Sequence, residues 1–194
     1  MYVQVKQSSG ITTVPIESRL FASRKIFIEG AITPETAVEF TKQVTYLGME
    51  DATAPIDMYI NTPGGEINSG LLMYDIIQTS GLMFRSYCIG RCFSMGAVLL
   101  ACANAGRYIL PHGEVMIHEP ALNGSLGGSS STIHSIAESL LATQRKMNEI
   151  LSRHSKMTVE EVAKETRYDH YLTAEEAIAL GLCDEIRTFG QFME

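Results

Sequence analysis

IDMYINTPGGEINSGLLMYDIIQTSG, residues Ile56 to Gly81, reads in order as a strand, a tight turn and a helix. IDMYIN is apolar enough for a buried strand, Pro-Gly-Gly breaks it, and INSGLLMYDIIQTSG continues with helical spacing until Gly81 closes it. The same order recurs on both sides. Upstream, KIFIEG from Lys25 is a strand ended by glycine, and TPETAVEFTKQVTYL is a helix with Thr33 as cap and Pro34 at its first position. Downstream, LMFRSYCIG is a third strand and a helix begins near Ser94; RYIL and VMIH are shorter strands split by the turn PHG. Strands alternating with helices predict parallel βαβ units, and so an α/β fold rather than a sandwich.

After His118 the pattern changes. EPALNGSLGGSSS is rich in glycine and serine and predicts a loop or an exposed hairpin. A long helix is expected from about Thr132 to His154, with Ile133, Ile136, Leu140, Met147 and Leu151 along one stripe. TVEE and TAEE each open a short helix with a capping box, and Gly181 is expected to end the second. The opening dozen residues mix polar with β-branched side chains and predict an arm or hairpin. No linker and no sequence repeat divides the chain, so residues 1–194 are expected to form one domain. Within it, 1–14 is the N-terminal arm and about 121–156 the glycine-rich stretch and long helix.

The chain has 45% hydrophobic and 19% charged residues and a net charge of −7. That is the balance of a soluble globular protein. It argues against nucleic acid as a partner, because phosphate binding needs a concentrated positive face. The N-terminus lacks the apolar run of a signal peptide, and no segment approaches the roughly 20 apolar residues of a membrane span. Cys88, Cys92, Cys102 and Cys183 form no CxxC pair and read as buried free thiols of a reducing compartment. A cytoplasmic location is expected.

Three features near strand ends could carry chemistry. NTPGGE (Asn61 to Glu66) lets the backbone approach a ligand closely, yet it matches neither phosphate-binding glycine motif and by itself reads as a tight turn. Ser94, in RCFSMGAV (Arg91 to Val98), starts a helix at the carboxyl edge of the sheet, where a serine usually serves only as a cap. His118 ends the strand VMIH. Of the other histidines, His112 lies in a turn, His134 and His154 on the long helix, and His170 beside Asp169. No pair has the i, i+4 spacing of a zinc motif, and no metal is expected. A serine nucleophile needs an imidazole to take its proton, and the imidazole needs an acceptor to fix its tautomer. Spacing alone does not choose that acceptor among 22 carboxylates.

The stretches ESRLFASRKIFIEGAI, MYINTPGGEINSGLLMYDII, CIGRCFSMGAVLLACANAGRYILPHGEVMIHEP, NEILSRHS and YDHYLTAEEAIALGLCDEI together resemble the Clp protease proteolytic subunits, from about Val14 onward. The resemblance implies a stack of ββα units related to the crotonase fold, with the long helix protruding. It places the nucleophile at Ser94, the base at His118, the acid at Asp169, and the oxyanion donors at the backbone amides of Gly65 and Met95. It implies heptameric rings paired through the protruding helices as a double ring, and an AAA+ unfoldase docked on outer apolar pockets, here at Tyr59. The N-terminal arm would line the axial pore. Substrates would be unfolded proteins, and the chain would need no cofactor, since ATP is used by the unfoldase.

Several positions depart from the family pattern. Arg91, Cys92 and Phe93 precede the nucleophile where small or amide-bearing residues are usual. Glu119 follows the base in place of an amide; neighbouring strand residues face opposite ways, so it is expected to point away from the imidazole. The glycine-rich stretch is slightly longer than usual, and Arg167 and Tyr168 replace an acidic–Arg pair that bridges the rings. Two other functions fit less of the sequence: a crotonase-type acyl-CoA enzyme, and a weakly active ring subunit that supports a more active paralogue.

Overall fold

The computed structural model describes residues 1–7, 10–121 and 127–192. The expectation of an extended glycine-rich stretch falls in part on residues 122–126, outside the described residues. β1 (Tyr2–Gln7) and β2 (Gly10–Pro15) form an antiparallel hairpin, followed by the short α1 (Ile16–Phe21). The main sheet then begins with β3 (Lys25–Glu29), α2 (Pro34–Glu50), β4 (Ile56–Thr62), α3 (Ile67–Thr79), β5 (Phe84–Phe93) and α4 (Met95–Ala101). It continues with β6 (Arg107–Ile109), β7 (Glu114–Ile117), α5 (Ser130–Arg153), α6 (Val159–Glu165), β8 (His170–Leu172), α7 (Ala174–Ala179), β9 (Glu185–Ile186) and α8 (Phe189–Phe192).

Seven strands pair in the order β3-β4-β5-β6-β9, all parallel, with β7 parallel to the far end of β5 and β8 antiparallel to β7. β5 is the pivot. Its first half pairs with β6 and its last residues, Arg91 to Phe93, with β7. A register shift allows this: Ile60 faces Cys88 but Thr62 faces Cys92, so β5 carries extra residues between them and bends. The bent end of β5 delivers Ser94.

The helices start where their caps dictate. Thr33 accepts from the Thr36 amide with Pro34 at the first helical position, and Thr158/Glu161 and Thr173/Glu176 form complete capping boxes. α5 starts two residues ahead of the expected Thr132, because Ser129 accepts from the Thr132 amide. Its first half stands clear of the body: Ile133 and Leu141 are exposed, and its buried residues are Met147, Asn148, Ile150 and Leu151. This is the protruding helix. Among the described residues no helix is long and apolar enough to cross a membrane.

Strand alternation divides β4 between two layers. Met58 and Ile60 face the main core with Phe40, Leu47, Met73 and Phe84, while Asp57 and Tyr59 face the other way. On that second face Tyr59, Tyr87 and Phe192 form a separate aromatic cluster, so the strand is covered on both sides, as parallel strands require. The alternation of strand and helix was expected. α1, β8, β9 and α8 were not, being two to six residues long and too short for a periodic signal.

Candidate active site

Chain reversal from β5 into α4 takes place at Ser94, with φ 55° and ψ −118°, a backbone region that L-residues avoid. Two contacts hold it there. The Ser94 amide donates to the Met116 carbonyl at 2.7 Å, and the Ser94 carbonyl accepts from Ala97 and Val98 as the helix cap. The side chain makes no capping hydrogen bond. Ser94 Oγ instead lies 2.9 Å from His118 Nε2, so the plain capping role does not account for this serine.

His118 directly follows β7. Antiparallel pairing of Ile117 with His170 brings the residue before His170 alongside the residue after Ile117. Asp169 Oδ1 thereby comes within 3.3 Å of His118 Nδ1. The imidazole is mostly buried while the carboxylate is 57% exposed, so this second contact is the looser and wetter of the two.

The PGG turn packs on the serine from the other side. Thr62 Oγ1 accepts from the Gly64 amide at 3.0 Å and donates to Gly30, which pins the turn to the strand ends. Gly64 has φ 91°, and a Cβ there would sit 2.7 Å from both the Phe93 carbonyl and Ser94 Cβ, and 3.2 Å from the Met95 amide nitrogen. Only glycine permits that approach. Ile32 bridges this turn by donating to Gly64 O and accepting from the Glu66 amide, which leaves the Gly65 amide out of the pairing. Met95 is the first residue of α4, so its amide has no partner within the helix. Among the described residues two amides are thus left free beside the serine, one of them at the positive end of a helix.

The cleft these elements enclose has a volume of about 850 Å³ and runs past Ile32, Gly65, Ser94 and His118 to Leu140 and Thr143 on α5. The residues departing from the family pattern do not fill it. Cys92 is buried with its thiol toward the Ile60 carbonyl, Phe93 packs edge-on against Tyr171 at 5.5 Å between ring centres, and exposed Arg91 lies over Phe93. Glu119 accepts from Gln144 of α5 at 2.6 Å, which ties its carboxylate to the long helix. Three of the four buried thiols are held protonated at neutral pH: burial pushes Cys102 and Cys183 up to about 12 and raises Cys92 well above its ordinary value, while the hydrogen bond with Cys92 lowers Cys88, which is itself buried outside the cleft.

Ser94, His118 and Gly65 line one cleft, Met95 follows Ser94 as the first residue of α4, and Asp169 touches His118. Tyr59 does not join them. It lies on the opposite face of β4, 5% exposed, stacked between Phe27 and Tyr87 at 5.0 and 4.9 Å. Its hydroxyl accepts from Lys25 and donates to the Phe192 carbonyl at 3.0 Å. Sequence reasoning missed the packing role of Gly64, signalled only by the paired glycines, and Asn148, a polar residue beside Met147 on the buried turn of α5. Among the described residues no group of three or more His, Cys, Asp or Glu side chains is placed to hold a metal ion.

Comparison with known proteins agrees with this architecture. Residues 8–189 match the family model for Clp protease. The chain is 38% identical over 186 residues to the ATP-dependent Clp protease proteolytic subunit 2 of Chlamydia trachomatis serovar D, covering 95% of this chain and 91% of that one. Neither match favours the acyl-CoA enzyme or the weakly active ring subunit. The chain belongs to the Clp protease family, as a proteolytic subunit.

Proposed function

We propose that Ser94, His118 and Asp169 form the hydrolytic triad of a serine endopeptidase acting on unfolded protein chains. The observation that carries this reading is the 2.9 Å contact between Ser94 Oγ and His118 Nε2, made by a serine that forgoes its helix cap. Ser94 Oγ attacks the scissile carbonyl carbon as its proton passes to Nε2. Asp169 accepts from the Nδ1–H, which keeps Nε2 available and stabilises the imidazolium. The Gly65 and Met95 amides donate to the oxyanion, aided by the α4 N-terminus. The imidazolium returns its proton to the departing amine, leaving an acyl-serine. Water then repeats the sequence from the other side and releases the acid. These steps draw on no cofactor of the chain's own.

In the same reading the chain assembles into heptameric rings, paired through α5 as a double ring, with the β1–β2 hairpin at the axial pore. An AAA+ unfoldase spends ATP to deliver substrate and docks at the aromatic cluster around Tyr59, where Phe192 must yield before an incoming apolar side chain can enter. The protein works in the cytoplasm, where four free buried thiols remain reduced.

Labelling with a serine-directed fluorophosphonate, combined with native mass measurement, tests the proposal. Ser94 alone should be labelled, and Ser94→Ala should lose label and peptidase activity while keeping its assembly. Labelling or cleavage that persists in the Ala variant would remove Ser94 from the nucleophile's role.

A further inference from the structure

Cys88 and Cys92 stand four residues apart on β5, a spacing that in a regular strand separates Cα atoms by about 13 Å. The bend in β5 removes most of that distance. Cys88 faces Ile60 and Cys92 faces Thr62, so the two cysteines take the spacing of strand residues two apart. That spacing is about 6.6 Å between Cα atoms, inside the range of roughly 4.4–6.8 Å that a disulfide spans. Both side chains are wholly buried in the main core, and their thiols are hydrogen-bonded to each other.

The Cys88 sulfur is the more reactive of the two. The hydrogen bond from Cys92 favours its thiolate most strongly, burial opposes it, and the Gly90 amide adds a second donor, so its pKa is held below the ordinary thiol value. Burial keeps Cys92 a thiol, able to donate to its partner. Solvent lies close to the pair. Arg91, between the two cysteines, is exposed, and its amide donates to the exposed Asn61 at 3.3 Å. Opening that one bond at the surface of the bend admits a molecule little larger than water.

We propose that Cys88 and Cys92 form a redox modification site, which hydrogen peroxide joins in a reversible disulfide that misplaces Ser94. The Cys88 thiolate attacks one peroxide oxygen and becomes a sulfenic acid as the O–O bond breaks. The other oxygen leaves as hydroxide and takes up the proton that Cys88 gave away. Cys92 then attacks the Cys88 sulfur, so that the S–S bond forms and the S–O bond breaks. The second hydroxide departs as water with the Cys92 proton. Each sulfur gives up one electron, and the peroxide is reduced to two waters.

Closing the sulfurs to about 2.0 Å tightens the bend in β5. Cys92 lies two residues before Ser94 and pairs with Thr62, whose hydroxyl holds the Gly64 amide at 3.0 Å. A misplacement of about 1 Å among reacting groups costs about 10²-fold in rate. Oxidation therefore slows hydrolysis without altering the triad residues themselves. The bridge does not depend on Ser94, whereas its effect on activity rests on Ser94 as the nucleophile.

The test treats the assembled protease with hydrogen peroxide, quenches with catalase, and follows peptide hydrolysis beside tandem mass spectrometry of a tryptic digest. Trypsin cuts after Arg91, so the bridge joins peptide 86–91 to peptide 92–107 through Cys88 and Cys92. Activity should fall by about tenfold or more and return with dithiothreitol, which does not repair methionine sulfoxide. Cys88→Ser and Cys92→Ser should each form no bridge and keep most of their activity under the same peroxide. Cys92→Ala serves where a buried hydroxyl disturbs packing. No bridge in the parent overturns the proposal, as does a bridge from Cys88 to Cys183, the third thiol near the pair. A bridge that leaves hydrolysis unchanged, or an equal and irreversible loss in parent and variants, overturns it too. Ser94→Ala should still form the bridge; peptide hydrolysis that survives in that variant overturns the nucleophile assignment, and the effect on activity with it, while the mass of the bridge is read independently.

Discussion

Ser94 Oγ lies 2.9 Å from His118 Nε2 although Ser94 occupies the cap of α4, where a serine oxygen ordinarily turns back onto the helix amides. The residue gives up that hydrogen bond and also holds φ 55° without being glycine. Strain of this kind costs about 1–3 kcal/mol. Ser94→Gly removes the nucleophile and the strain together and forfeits no cap. It should therefore be inactive yet at least as stable as the parent, by about 1 kcal/mol in denaturant titration. A marked loss of stability would mean that the serine contributes packing that outweighs its strained backbone.

Asp169 contacts His118 Nδ1 at 3.3 Å and stays largely exposed, so its hold on the imidazole is weaker than that of a buried carboxylate. Asp169→Asn should keep the fold and the assembly but lower turnover by two to four orders of magnitude, toward the roughly 10⁴ seen where the wrong tautomer is fixed. His118→Ala should be at least as damaging. Steady-state peptide hydrolysis on the purified variants decides it; near-normal turnover in Asp169→Asn would assign the orienting role to another group.

Most of the local structure could be read from the sequence because it is local. Thr33, Thr158 and Thr173 announce their helices through the residues next to them, and the helices start there. Ser94 and His118 could be placed at strand ends for the same reason. Asp169 could not be derived this way. It reaches His118 through β8, three residues paired antiparallel with β7 across more than fifty positions of sequence, and only resemblance to a family pointed to it. Tyr59 reads as a surface position until α8, four residues long, folds back over it, a contact spanning 133 positions. Asn148 interrupts an apolar stripe, and no periodicity rule distinguishes a polar residue that faces solvent from one that faces a cavity.

Arg167 and Tyr168 stack on each other at 5.7 Å directly before Asp169, and Tyr168 is 76% exposed. Among the described residues neither forms an ion pair within the chain. In the proposed double ring, an acidic–Arg pair at these positions would offer each ring a charge partner for the other. Single surface pairs are worth under about 1 kcal/mol, but repetition around a ring multiplies them. The double variant Arg167→Glu/Tyr168→Arg should therefore shift the equilibrium from single toward double rings and raise peptidase activity without the unfoldase. Analytical ultracentrifugation with parallel peptide hydrolysis measures both. No change in either would mean that stacked Arg167 and Tyr168 already join the rings as well as an ion pair does.

His154 Nε2 lies 3.0 Å from the Tyr74 hydroxyl at the C-terminal end of α5. A helix C-terminus normally favours a charged imidazole. Here burial acts against it most strongly, followed by the positive charges of Arg153 and Arg107, and the pKa is held below the ordinary 6.5. The unfolded chain, free of the burial and of Arg107, takes up the proton near 6.5, where the folded protein still resists it. Between the lowered folded value and about 6.5 the unfolded state binds more protons, so stability must fall as the pH falls through that window. Above it both states are neutral and the penalty vanishes. The capping carboxylates of Glu161 and Glu176 are also held low by their backbone hydrogen bonds, but they titrate in a separate, more acidic range. His154→Gln keeps an acceptor for Tyr74 and cannot titrate. Its stability, followed by urea titration from about pH 7.5 to about pH 5.5, should decline less steeply than that of the parent, by at most one proton, or about 1.4 kcal/mol per pH unit. Parallel declines in the two proteins would show that His154 is protonated equally easily in the folded and unfolded chain, and that its surroundings do not disfavour the charge.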